Sequence, residues 1–320
     1  AVVQSVSGMM SLLDEDYLWK KGDGPPLPEP VQNALEVVYV QYSKIMELED
    51  QSIVRAAIES MGKLALLVGP AAVAGKLPQI CSWIGMILSN QAKFQLNRES
   101  FEENEEDFTT FNVVLNVMVE LAKTCDKLFV PYLPDLFNCF SLYFTEDSTD
   151  EHKECCLCTI MEVAEEIEES FAPFCEPFLA VSLNFMDPNT DDNILQYACG
   201  CIGQALLYGK LPEAVANEIW SRVNLLMDAD SSRSLLFDSL YGLIAQLVLS
   251  YPNLKPVDQI LPILVRNLPL RVNANPSAVI YQCIFRYLEA GHPTLLEMMP
   301  QIIELFIVEI CIGDITEETK

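Results

Sequence analysis

The sequence predicts an all-α fold, a superhelix of antiparallel helix pairs stacked along the chain, and three observations predict it. Apolar residues recur three and four apart almost throughout, while strand-like alternation is nearly absent. Prolines placed to open helices return at Pro131, Pro173, Pro212, Pro256 and Pro293, at intervals of 42, 39, 44 and 37 residues. The composition, 51% hydrophobic and 20% charged over 320 residues, supplies a large core and excludes a disordered chain.

Each pair has a proline-opened first helix and an amphipathic second one. Residues 1–16 read as the second helix of a preceding pair, and Lys20 to Pro30, with Gly22, Gly24, Pro25, Pro26 and Pro28, as a stiff helix-free connection. First helices follow near 30–48, 75–90, 129–144, 171–187, 211–228, 255–268 and 293–312. Second helices lie near 50–68, 107–125, 150–169, 191–208, 231–250 and 276–290. In the third of these, Leu157, Ile160, Ala164 and Ile167 share one face and glutamates fill the other; Ile280, Ile284 and Leu288 repeat the pattern. A two-helix period of about 40 residues is the signature of a HEAT/armadillo-type solenoid. The expectation is one solenoid fragment over 1–320, of about six to seven helix pairs, with Ile315 to Lys320 beginning another. One interval is too long, from Pro78 to Pro131, and the surplus falls in an acidic insertion loop at 91–106. Around it cluster Glu99, Glu102, Glu103, Glu105, Glu106 and Asp107, six carboxylates in nine residues.

Charge narrows the function classes. The net charge of −27, from 46 acids against 19 bases, would repel a phosphate backbone, so direct nucleic-acid binding is not expected. Two histidines and 13 glycines leave little material for acid–base chemistry or phosphate-cradling loops, and no nucleophile–base pair is present. No catalytic residues and no cofactor are assigned. Eleven cysteines in a long chain read as free thiols in a reducing compartment rather than a disulfide framework. Cys155, Cys156 and Cys158 with His152 lack the second ligand pair that zinc requires, so packed thiols are expected there and no metal. The longest uninterrupted apolar stretch, Leu64 to Ala74, is eleven residues, well short of a bilayer span, so no membrane insertion is expected. The start at Ala1 suggests a fragment or a processed end.

The densest charge lies at 146–169, where Glu146, Asp147, Asp150, Glu151, Glu154, Glu162, Glu165, Glu166, Glu168 and Glu169 are relieved by one lysine, Lys153. Like charges at helical spacing cost a few tenths of a kcal/mol each, and acids near the helix C-terminus oppose its dipole. Two readings fit: a solvated face, or a surface that attracts a basic partner. Asp191, Asp192 and Asp238 would extend it on the next second helices. Trp220 and Asn224, four apart, resemble one element of a peptide-clamping Trp–Asn array, but stand alone on a first helix, where core packing is expected. Asp14, Glu15 and Asp16 beside Tyr17 and Trp19 read as the exposed end of the first helix.

Glu49-Asp50-Gln51-Ser52-Ile53-Val54-Arg55-Ala56-Ala57, followed by Met61-Gly62-Lys63-Leu64, resembles the consensus second helix of a HEAT repeat. Asp50 is placed to cap it, Val54, Ala57 and Leu64 to face inward, and Ala57 and Gly62 to let a neighbouring helix approach. Arg55 stands at the usual basic position, Arg233 less clearly so. With the acidic loop, Ser170-Phe171-Ala172-Pro173-Phe174, Tyr197-Ala198-Cys199-Gly200-Cys201-Ile202-Gly203, and Leu254-Lys255-Pro256 through to Leu268-Pro269-Leu270, the order of units is similar to the C-terminal part of an importin-beta (karyopherin-beta) superfamily receptor, of the importin-four/importin-five type. That resemblance implies a non-catalytic nuclear import receptor shuttling between cytoplasm and nucleus. Its partners would be basic cargo such as histones or ribosomal proteins, nucleoporins, and the GTPase Ran, held mainly by N-terminal repeats outside this chain. The cargo-binding candidates are then Glu151, Glu154, Glu162, Glu165, Glu166, Glu169, Asp191, Asp192 and Asp238. The alternative is a HEAT-repeat scaffold subunit of a phosphatase or chromatin complex without a transport role.

Overall fold

The computed structural model describes residues 19–96, 105–228 and 232–312. The chain forms two compact units, Ala1–Ser170 and Phe171–Lys320. Both are all-α helix-pair repeats; among the described residues the only extended pairing is the isolated bridge between Lys20 and Asp23. The expected helices at 1–16 and from Ile315 onward, and Asp14, Glu15 and Asp16, lie outside the described residues.

In the N-terminal unit the pairs are α1 (Glu29–Ile45) with α2 (Gln51–Val68), α3 (Leu77–Leu88) with α4 (Glu105–Cys125), and α5 (Leu133–Cys139) before α6 (Asp150–Ile167). Second helices form the spine, α4 packing between α2 and α6. The reason is periodicity: Ile58, Met61 and Leu64 of α2, Val114, Met118 and Leu121 of α4, and Leu157, Ile160 and Val163 of α6 are all fully buried, each burial stabilising by about 1.5–3 kcal/mol. Asp50 caps α2 by accepting the Ile53 N–H at 3.2 Å, and Thr149 caps α6. Gly62 has the expected role, since a Cβ there would overlap the Glu120 carboxylate of α4 and crowd Val117.

The connection at 19–28 lies along the C-terminal ends of α2, α4 and α6. Trp19 packs on Gly69, the Gly22 N–H donates to the Thr124 carbonyl at 2.8 Å, and Lys21 Nζ lies 2.5 Å from Glu166. Trp19 is therefore a packing residue. The segment Pro70–Leu96 has the length and apolar content of a membrane span. Here it is broken into the turns Pro70–Val73 and Ala74–Lys76, α3 and the turn Lys93–Leu96, with Ile80, Ile84, Ile87 and Leu88 buried in the unit.

The C-terminal unit repeats the plan: α7 (Cys175–Phe185) with α8 (Asp192–Tyr208), α9 (Glu213–Met227) with α10 (Ser234–Ser250), α11 (Val257–Arg266) with α12 (Ser277–Glu289), then Pro293–Glu297 and α13 (Met299–Ile312). The spine is again built of second helices, α10 packing between α8 and α12. At Gly242 a Cβ would overlap the Pro276 ring, so these residues meet at glycine distance.

Proline shortens several first helices relative to the sequence expectation. The one expected at 129–144 is the 3-10 turn Val130–Tyr132, α5 and the 3-10 turn Phe140–Leu142, and the one expected at 171–187 opens as the 3-10 stretch Glu168–Phe174. Pro131, Pro134 and Pro173 supply no N–H for an i→i−4 bond, and tighter turns result. Pro212 and Pro256 sit immediately before their helices.

Candidate functional site

The glutamate-rich helix α6 is the densest acidic element. Its core residues Cys156, Leu157, Ile160, Val163, Ala164 and Ile167 are buried, which turns Glu151, Glu154, Glu162 and Glu165 to the opposite side. At 100° per residue these four fall within an arc of about 80°. Glu151 and Glu165 are exposed, Glu154 and Glu162 partly so. Cys155 shares this face; burial and the neighbouring Glu154 and Glu151 push its thiol up to about 11, so it stays protonated at neutral pH.

His152 belongs to the core side. It is 5% exposed, its Nδ1 lies 2.8 Å from Thr149 Oγ1, and its ring packs among Phe108, Phe111 and Tyr143, stacking on the last at 5.4 Å. Among the described residues no cluster of three or more potential metal ligands occurs. Burial pushes the Cys81, Cys125, Cys199 and Cys283 thiols up to about 12.

Several sequence-assigned acids prove to have structural partners. Glu166 pairs with Lys21 of the connection. Glu169 is not on the helix at all: α6 ends at Ile167, Glu168 adopts φ 48°, and Glu169 sits on the 3-10 stretch beyond. In the C-terminal unit Asp191 is the cap of α8, accepting the Asn193 N–H at 2.8 Å. Asp192 is held by Arg233, whose Nε donates to it at 2.7 Å while Nη1 and Nη2 donate to the carbonyls of Pro188 and Thr190 at 2.7 and 2.9 Å. Arg233 therefore does occupy a repeat-linking position, as does Arg55, whose guanidinium lies 3.6 Å from Glu106.

Asp238 departs furthest from expectation. It is 3% exposed, and its Oδ2 accepts the backbone N–H groups of Arg271, Val272 and Asn273 at 3.0, 2.7 and 3.0 Å. It organises the loop between α11 and α12 rather than extending an acidic surface. Of the acidic-loop residues, Glu105, Glu106 and Asp107 form the first turn of α4, where the helix dipole favours them. Gln51 of α2 reaches this turn, donating to the Glu106 carbonyl, Asp107 and Thr110 at 2.9–3.1 Å. Residues 91–96 of the expected loop dock through buried Phe94 and a 3.0 Å bond from Gln95 Nε2 to the Ile87 carbonyl. Glu99, Glu102 and Glu103 lie outside the described residues. Trp220 is half-buried with Lys255 Nζ 5.9 Å from its ring centre, and Asn224 is exposed, so the two do not form a clamp.

Sequence reasoning missed Glu120. It crosses from α4 onto Gly62 beside Glu59 and Lys63, and burial raises its pKa above the carboxylate value of 4.5, Lys63 opposing and Glu59 adding to the shift. A raised native pKa means that the folded chain holds this proton more tightly than the unfolded one. The resulting stabilisation is present at low pH and lost as pH rises through the native pKa. Glu120→Gln is expected to remove that loss, so the variant's urea midpoint relative to the parent should rise between pH 4 and pH 7. A constant difference across that range would contradict the assignment.

No family model matches the chain. Over 214 residues, 66% of the chain, it is 23% identical to "Probable importin subunit beta-4" of Schizosaccharomyces pombe (strain 972 / ATCC 24843). The chain spans 20% of that relative's length. Among solved structures a designed armadillo repeat protein aligns with 76% of this chain and 98% of its own at a TM-score of 0.43 and 12% identity. The helix-pair architecture and the importin similarity together support a HEAT/armadillo-type repeat protein, similar over about two thirds of its length to an importin beta subunit.

Proposed function

We propose that this chain is part of a karyopherin-beta nuclear import receptor that binds basic protein cargo, acting by recognition and not by catalysis. The observation that carries the reading is the acidic face of α6, where Glu151, Glu154, Glu162 and Glu165 share one side of a helix anchored by its other side in the core. The similarity to an importin beta subunit supports the transport role. Cargo of histone-tail or ribosomal-protein character has the complementary charge, and charge complementarity raises association rates without ordered contacts. Ran and nucleoporins are the expected partners of the longer receptor, with shuttling between cytoplasm and nucleus.

The test is a titration of the chain with a lysine-rich histone-tail peptide at rising salt, comparing the parent with Glu151→Lys/Glu162→Lys. Each reversal replaces an attraction of about 0.2–1 kcal/mol by a repulsion. The pair should therefore weaken binding about tenfold, equivalent to about 1.4 kcal/mol, and flatten the salt dependence. Absence of binding at every salt concentration would reject the cargo reading and favour a repeat scaffold without a transport role.

A further inference from the structure

The helix α10 carries Ser234, Phe237, Asp238 and Tyr241 at positions i, i+3, i+4 and i+7. With Asn267 and Arg271 from the end of α11 and the following loop, they line a cavity of about 190 Å³. The rings of Phe237 and Tyr241 form one wall, their centres 6.3 Å apart. Arg271 is exposed at the mouth. Asp238 is nearly fully buried, and all three loop amides use its Oδ2. Its Oδ1 accepts no hydrogen bond among the described residues, which leaves an acceptor in a recess walled by two aromatic rings and edged by Ser234, Asn267 and Arg271.

Size and charge select the ligand. The volume is below the ~300 Å³ at which small-molecule and cofactor pockets begin, and suits a single side chain. The carboxylate and the guanidinium cancel, so the recess has no net attraction for either ion. A lysine or arginine would meet Arg271 at the mouth and find an Asp238 whose charge three amides already share. A phenylalanine would fill the volume but leave Oδ1 without a donor, at the cost of burying an unsatisfied acceptor.

We propose that this cavity receives one aromatic side chain with a donor at its far edge, a tryptophan or tyrosine of a partner protein. The ring lies against Phe237 and Tyr241 with the Arg271 guanidinium over it, and the indole N–H or phenol O–H donates to Asp238 Oδ1. The site lies wholly within the C-terminal unit and does not rest on the reading of the α6 face.

N-acetyl-tryptophanamide titrated into the ¹⁵N-labelled chain tests this. The amide signals of Ser234, Tyr241, Asn267 and Arg271 should shift together, and N-acetyl-tyrosinamide should compete. N-acetyl-phenylalaninamide should bind at least five-fold more weakly, and N-acetyl-argininamide should leave these signals in place. Arg271→Ala, at an exposed position that does not threaten folding, should weaken tryptophanamide at least five-fold, as should Phe237→Ala where the variant folds. No shifts with tryptophanamide, equal affinity for the phenylalanine derivative, tighter binding of the arginine derivative, or unchanged affinity in Arg271→Ala would each overturn the proposal.

Discussion

Asp238→Ala is expected to destabilise the α10–α12 region by about 3–5 kcal/mol, the range for removing one partner of a buried, charge-bearing hydrogen-bonded set. The carboxylate accepts three consecutive backbone N–H groups, and no other described group replaces it. Removing it leaves all three donors without their shared acceptor, each at its own cost. Hydrogen exchange of the Arg271, Val272 and Asn273 amides is the direct readout, and at about 1.4 kcal/mol per decade it should accelerate by two orders of magnitude or more. Asp238→Asn keeps one acceptor oxygen without the charge and should cost less than half as much. Equal exchange in Asp238→Ala and the parent would show that the loop is held by something else.

Gly69→Ala should cost about 3 kcal/mol, from two sources. Gly69 adopts φ 88° and ψ −176°, a conformation nearly reserved for glycine, and other residues there lose about 1–3 kcal/mol. The added Cβ would also overlap Trp19 Cγ and stand 2.7 Å from its Cβ, an overpacking penalty of about 1–3 kcal/mol. Expulsion of Trp19 would free the connection, so the Gly22 amide, bonded to the Thr124 carbonyl at 2.8 Å, should lose protection. In a Trp19→Ala background only the backbone part should remain. A full penalty in that background would assign the whole effect to φ.

These two positions also mark where the sequence could and could not be read. The helices α2 and α6 are legible because their determinants are local: the cap at Asp50 or Thr149 and the apolar residues at three and four spacing lie within one segment. Gly62 is legible on the same ground, a small residue on an otherwise apolar face. The shortened α5 and the 3-10 entry to α7 follow from Pro131, Pro134 and Pro173, but the extent of 3-10 turn depends on packing beyond the prolines. Asp238 was read with the acids of the surface because its partners are backbone amides more than thirty residues on, and amides carry no residue signature. The partners of Glu166 and Asp192 are illegible for a related reason, each being a distant basic residue, Lys21 or Arg233. Acidic spacing reports where carboxylates lie on a helix and is silent on which of them the fold itself consumes. Glu151, Glu154, Glu162 and Glu165 are legible on one face of α6 because the apolar positions of the same helix fix that face.

In the C-terminal unit the near-constant reach of the ties between neighbouring pairs has a consequence for how that unit is made. Arg233 joins Asp192 across 41 positions and the Ser250 hydroxyl joins the Leu206 carbonyl across 44. Closing each such loop costs nearly the same entropy, and none waits for a residue at the far end of the polypeptide. A nascent pair emerging from the ribosome therefore finds its docking surface already synthesised, and the spine can grow at the pace of translation. Pulled from its ends, this unit should yield pair by pair, since each of its pairs is tied chiefly to its neighbours.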